Sequence, residues 1–296
     1  MKKIVLASLM AVLLVVMAAC GSEDKDTKTE TEKESANKED TTITFGVTPW
    51  TSTIPPTAIA KLIIEDMGYS VEEVKADAGN VFVGLSRGDI DVFMDSWLPA
   101  HENHISKFED TIEEIAISYD DVPTGLVVPT YMTDINSIND LAGNEELFNN
   151  EVFGLEEGAS GATRLINEAI EGYGLDMTQV NSSEGGMLAQ AKRAISAEKP
   201  VVFYGWRPHS MFKTFDLKVL EDEDNKFEIS TIKVFANNGL KEKAPDVHAF
   251  LTNWGTTIEI VEEMIQTMDT DGTKAEVLAR EWIENNQDKV NEMLGK

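Results

Sequence analysis

The chain has 296 residues, a length that suggests two domains at roughly 100–200 residues each. Lysine and arginine number 25 against 53 aspartates and glutamates, a net charge of −28, which excludes electrostatic adhesion to a nucleic-acid backbone or to anionic lipid. Apolar residues make up 42%, enough for a sizeable core, and the single cysteine excludes an internal disulfide framework and any cysteine-built zinc or iron–sulfur site.

Lys2 and Lys3 give a short basic start, and residues 4–19 are apolar or small throughout. That stretch is short for a membrane span and suits the apolar core of a secretory signal. It ends in Val16-Met17-Ala18-Ala19-Cys20-Gly21, where small residues before the lone Cys20 resemble a bacterial lipobox. The resemblance implies a lipoprotein signal peptide over 1–19 and a lipidated Cys20. Residues 21–42 are charged, Ser- and Thr-rich, with one Ala and no aromatic residue. They are expected to form a disordered acidic spacer, since nothing in them offsets chain entropy by burial. No second hydrophobic span follows, so the body is expected to be extracytoplasmic, reaching the membrane only through its lipid.

From Thr42 the pattern alternates between strand and helix. A β-type run over 42–47 ends at Thr48-Pro49-Trp50, and helical spacing of Ile59, Leu62, Ile63 and Met67 follows, stopped by Gly68. Strands are expected over 69–74 and 91–94, with a short helix over 80–86 between them. Gly125-Leu-Val-Val-Pro129 reads as an extended crossing between domains. A strand over 151–155 leads to the loop Gly158-Ala159-Ser160-Gly161 and a strong helix with Leu165, Ile166, Ala169 and Ile170 on one face. A helix over 187–197, a strand over 201–204, a return strand over 231–236 and helices over 244–268 and 274–285 complete the chain. Such alternation implies α/β lobes with mostly parallel sheets. The expected domains are lobe 1 over 43–127 plus 229–296, and lobe 2 over 128–228.

The five tryptophans divide into two sets. Trp254 and Trp282 lie in helical apolar stripes and read as core. Trp50, Trp97 and Trp206 each follow a short apolar strand, beside a proline, in what reads as a turn. Ligands of open α/β sheets bind outside the carboxyl ends of the strands. Three indoles there suit a cation without N–H donors, held by π faces at roughly 0.5–2 kcal/mol each. Stacking on sugar rings is the competing use, but these turns supply few polar partners for it. The Ser160-Gly161-Ala162 helix start offers free N–H groups and a positive dipole end to an anion. The two features together describe a zwitterion with a quaternary ammonium at one end and a carboxylate at the other.

The stretches ITFGVTPW, DVFMDSWLPAH, GLVVPTYM, GASGA and VVFYGWRPH resemble the glycine-betaine-binding proteins of ABC importers over about residues 43–285. The resemblance implies a two-lobed periplasmic-binding-protein-like clamshell (type II) that closes on its ligand. It implies a tryptophan cage falling on Trp50, Trp97 and Trp206, and carboxylate contacts from the amides of Gly161 and Ala162. A histidine helper falls on His101, with His104 next. Family members often carry a second aromatic residue where Ser210 follows His209 here. Choline, carnitine and proline betaine are the alternative ligands. The implied partners are an ABC permease and its ATPase, and the implied role is osmoprotectant uptake.

Other chemistries find less support. His101 and His104 lack an evident third metal ligand, and Ser160 does not lie in a G-x-S-x-G elbow. There is no phosphate loop and no dinucleotide fingerprint. The expectation is a monomeric binding protein without metal, cofactor or catalysis. A secreted α/β hydrolase is the alternative of another class.

Overall fold

The structure is a computed structural model that describes residues 38–157 and 160–296. The expected signal peptide, Cys20 and most of the expected spacer lie outside the described residues. The spacer's last residues are part of the folded body. Lys38–Asp40 form a 3-10 turn, and Lys38 pairs with Asp246 while its ammonium sits 5.1 Å from the Tyr69 ring centre.

Ten strands follow in chain order: β1 (Thr42–Val47), β2 (Ser70–Lys75), β3 (Val92–Leu98), β4 (Ile112–Val122), β5 (Thr124–Pro129), β6 (Glu151–Leu155), β7 (Thr178–Ser182), β8 (Phe203–Trp206), β9 (Leu217–Val219) and β10 (Ser230–Asn237). They form two five-stranded sheets, ordered β2-β1-β3-β10-β4 and β7-β6-β8-β5-β9. The two orders share one plan. In the first sheet β2 and β3 flank β1 in parallel, and β10 joins β3 antiparallel. In the second, β7 and β8 flank β6 in parallel, and β5 joins β8 antiparallel. Each sheet therefore receives one antiparallel strand directly after a crossing from the other. The carboxyl ends of β1 and β3 on one side, and of β6 and β8 on the other, are where such sheets bind ligands. β5 belongs to the second sheet from Thr124 onward, so the first crossing falls at Pro123, a few residues before the 127/128 boundary read from sequence.

Local signals explain most helix ends. The helix Ile54–Asp66 starts with Pro55 and Pro56 in its first turn, where a missing N–H costs nothing. It buries Ile59, Ile63 and Ile64 in a cluster that includes Ala279 and Ile283 of the helix Ala275–Asn285. Each such side chain contributes about 1.5–3 kcal/mol by burial. The helix Ala78–Arg87 is capped by Asp77, which accepts the Asn80 N–H at 3.0 Å, and ends at Gly88 with φ +76°.

Two expectations need correction. The helix expected over 244–268 is broken into Pro245–Thr252 and Ile258–Asp271, with Gly255 in the break and Thr257 capping the second piece. β4 was not read from sequence, because its burial alternates irregularly along an edge of the sheet. Trp254 is core as expected, and its indole N–H donates to Ser118 Oγ at 2.9 Å. Trp282 packs partly buried against the same cluster.

Candidate functional site

Trp50, Trp97 and Trp206 converge on one cavity. It is lined besides by Ser52, Ala100, His101, Leu155, Gly161, Ala162, Leu165, Tyr204 and Ser230, and holds about 470 Å³ of empty space including its mouth. The walls come from both sheets. Trp50 follows β1 and Trp97 is the penultimate residue of β3, whereas Leu155 ends β6 and Trp206 ends β8.

The tryptophans differ in backbone setting from the sequence expectation. Only Trp50 lies in a loop. Trp97 and Trp206 are strand residues, paired with Ile232 of β10 and Thr124 of β5. The polar pair Asp95-Ser96 reads as the end of a strand, yet β3 runs through it. Asp95 is fully buried because Oδ2 accepts the hydroxyls of Ser52 at 2.9 Å and Thr53 at 2.8 Å. Burial pushes the Asp95 carboxyl above its ordinary range despite those bonds. The indole N–H of Trp97 lies close enough to favour the Asp95 charge but does not reach hydrogen-bond geometry.

Two of the three tryptophans are backed by another ring. Trp50 stacks on His101 with centroids 6.0 Å apart, and Trp206 stacks on Tyr204 at 5.6 Å. His209 meets the Trp206 ring edge-on at 4.8 Å. Tyr204 is a fourth aromatic residue on the cavity, and burial pushes its phenol up to about 12, so it stays neutral. The indole N–H groups of Trp50 and Trp97 are buried without an acceptor, an arrangement that costs roughly 1–3 kcal/mol until a ligand or water supplies one.

His101 lines the cavity and is buried, while His104 lies off it, stacked on Phe82 at 5.4 Å. The Nδ1 of His101 accepts the Trp97 backbone N–H at 3.0 Å. Burial, with the neighbouring His104 charge, pushes its pKa down to about 3. The ring is therefore neutral, and Nε2–H is the donor it can offer a ligand. Among the described residues, no group of three or more metal-ligating side chains comes together.

Gly161 and Ala162 open the helix Ser160–Gly172 on the opposite wall. First-turn N–H groups have no acceptor within their helix. Gly161 abuts the first lobe so closely that a Cβ there would lie 2.4 Å from Ala100 Cβ and 2.6 Å from its carbonyl oxygen. The two lobes are thus closed on each other at the cavity.

Residues 41–285 match the family described as the substrate binding domain of ABC-type glycine betaine transport systems, OpuAC. The chain belongs to this family. Among OpuAC-like relatives, the glycine betaine/carnitine transport binding protein GbuC of Listeria monocytogenes is 35% identical over 149 residues, 49% of this chain and 49% of that protein. The chain thus matches about half the length of that curated relative. A choline binding protein of an ABC transporter, solved with choline, superposes with a TM-score of 0.79 at 27% identity, covering 86% of this chain and 91% of that one. Lactococcal OpuAC, closed around glycine betaine, gives a TM-score of 0.79 at 26% identity, covering 86% of this chain and 100% of that one. The α/β two-lobed binding-protein fold expected from sequence is the observed one. Of the residues that sequence reasoning missed, Ser52, Ala100, Leu155, Leu165 and Ser230 are small or apolar, and Tyr204 is aromatic. Only Tyr204, two residues before Trp206 on the same strand, carried a periodic signal that could have revealed it.

Proposed function

We propose that this chain captures glycine betaine, or a close quaternary ammonium relative, between its two lobes and delivers it to an ABC permease and its ATPase. The observation that carries this reading is the placement of three buried tryptophans, drawn from both sheets, on one cavity with a helix N-terminus on its wall. A trimethylammonium group has no N–H to donate. It is held by ring faces, and a dry cage raises each face toward the upper end of about 0.5–2 kcal/mol. The carboxylate end is held by the Gly161 and Ala162 amides and by the His101 Nε2–H. Choline, carnitine and proline betaine share the cation and differ at the other end, so the amides and His101 choose among them. No bond is made or broken, and the imported solute serves osmoprotection.

The lobes act as separate bodies, with crossings near residue 123 and residue 229. A ligand that touches both favours the closed state by its differential affinity. Trp97→Ala is expected to weaken glycine betaine binding at least about tenfold, or ~1.4 kcal/mol, in a calorimetric titration. Unchanged affinity in that variant would sink the cage assignment.

The lipid anchor at Cys20, and action as a monomer, belong to the same proposal. Mass spectrometry of the membrane-extracted protein is expected to find Cys20 at the N-terminus carrying a diacylglycerol. An unmodified Cys20 contradicts the anchor.

A further inference from the structure

Glu184 makes contacts between the lobes that the ligand cage does not explain. It is the first residue of the helix Glu184–Ser196, behind the Ser183 cap, in the second lobe. Its carboxylate reaches across to the first lobe. Oε2 accepts the Thr51 backbone N–H at 3.1 Å, and Oε1 accepts the Thr51 hydroxyl at 2.9 Å. Thr51 directly follows Trp50, so these bonds hold the turn that carries one cage wall.

The same carboxylate also faces the turn that follows another wall, Trp206 at the end of β8. Glu184 Oε1 lies 3.3 Å from His209 Nε2, near but outside hydrogen-bond geometry. His209 Nδ1 accepts the Met211 N–H at 2.9 Å, which places the ring proton on Nε2, toward Glu184. His209 in turn packs on Trp206 in a T-shaped contact, centroids 4.8 Å apart and planes at 85°. One side chain, 11% exposed, therefore touches the Trp50 turn of one lobe and the Trp206 turn of the other.

Position strengthens the contact. A carboxylate at a helix N-terminus gains from the dipole. Hydrogen bonds to a charged, largely buried acceptor are stronger than neutral ones. A bond between lobes forms only on closure, so its free energy falls wholly on the closed state.

We propose that Glu184 is a positioning residue that latches the closed clamshell, tying the Trp50 turn to the Trp206 turn through Thr51 and His209. Its effect on affinity rests on the quaternary-ammonium reading above, while its effect on closure does not. The latch slows ligand escape, since it must break before the lobes part, and it leaves the first encounter with the open cage largely unaffected.

The test compares wild type with Glu184→Ala, Glu184→Gln and Thr51→Val, using glycine betaine as the probe and stopped-flow tryptophan fluorescence as the readout. Glu184→Ala is expected to release ligand about tenfold faster, the loss of roughly one hydrogen bond to a charged group. Its association rate stays within about twofold, because changes within one site fall mostly on release. Glu184→Gln, which keeps one acceptor, falls between, as does Thr51→Val. Release from Glu184→Ala at the wild-type rate overturns the latch and leaves the cage standing. If Glu184→Ala fails to fold, Thr51→Val decides, and an unchanged release rate overturns the latch. If wild type binds no quaternary ammonium compound, the ligand reading fails, and small-angle scattering of the ligand-free proteins decides instead. A more extended Glu184→Ala supports the latch, and equal radii of gyration overturn it.

Discussion

His101 does two things at the scale of a single residue. Its Nδ1 terminates β3 by taking the Trp97 N–H, and its ring backs Trp50. The price of that placement is burial, which moves its pKa from 6.5 to about 3. Between those values the unfolded chain binds a proton that the folded chain does not, so stability falls as pH falls. The contribution is complete above pH 6.5 and is lost on the way down toward pH 3. Thermal melts are expected to show wild type losing stability across that window more steeply than His101→Asn, which lacks the titrating ring. Parallel curves for the two proteins would contradict this account. His101 was legible in the sequence because it follows Trp-Leu-Pro. Its neutrality was not, since that depends on Phe82, Phe93 and Trp50 packing around it from three separate segments.

At the scale of elements, the strand-to-helix junctions carry the site. Most were readable, because Asp77, Gly88 and the glycines around Ser160 mark helix ends by local chemistry. β3 was read too short, because Asp95 and Ser96 look like a turn until Ser52 and Thr53, from the turn after β1, satisfy Asp95. β4 and the break at Gly255 depend on tertiary packing rather than on local pattern. The junction at Gly161 gives a sharp expectation. Alanine suits a helix better than glycine, so Gly161→Ala is expected to leave the unliganded melting temperature unchanged or slightly higher. Its Cβ, however, would strike Ala100 on the facing lobe, including the backbone oxygen. Closure is then obstructed, and affinity for glycine betaine is expected to fall by more than about tenfold. Calorimetry paired with thermal melts checks both halves. Wild-type affinity in Gly161→Ala would show that the lobes need not approach so closely.

At the scale of the molecule, two sheets of the same plan, each with one antiparallel strand entered straight after a crossing, face one another across an aromatic cavity. The general plan followed from the alternation of strands and helices, and the three tryptophans followed from their shared place at strand ends. Contacts between lobes did not follow. Thr51 and Glu184, Arg207 and Glu262, and Ser210 and Asp269 are far apart in sequence, and no local signal pairs them. Arg207 and Glu262 join the turn after β8 to the helix Ile258–Asp271, with Arg207 Nε 2.8 Å from Glu262 Oε1. The central claim is that the cavity reads a quaternary cation and a carboxylate together. It is tested most directly by titrating the purified protein calorimetrically with glycine betaine, with choline, and with 3,3-dimethylbutanoate, which replaces the cationic nitrogen by carbon. The account predicts that glycine betaine binds tightest, and that the carbon analogue, an anion, and choline each bind at least about tenfold more weakly, having lost the cation–π and carboxylate contacts respectively. Equal binding of the carbon analogue, or no binding of glycine betaine to the folded protein, would contradict it.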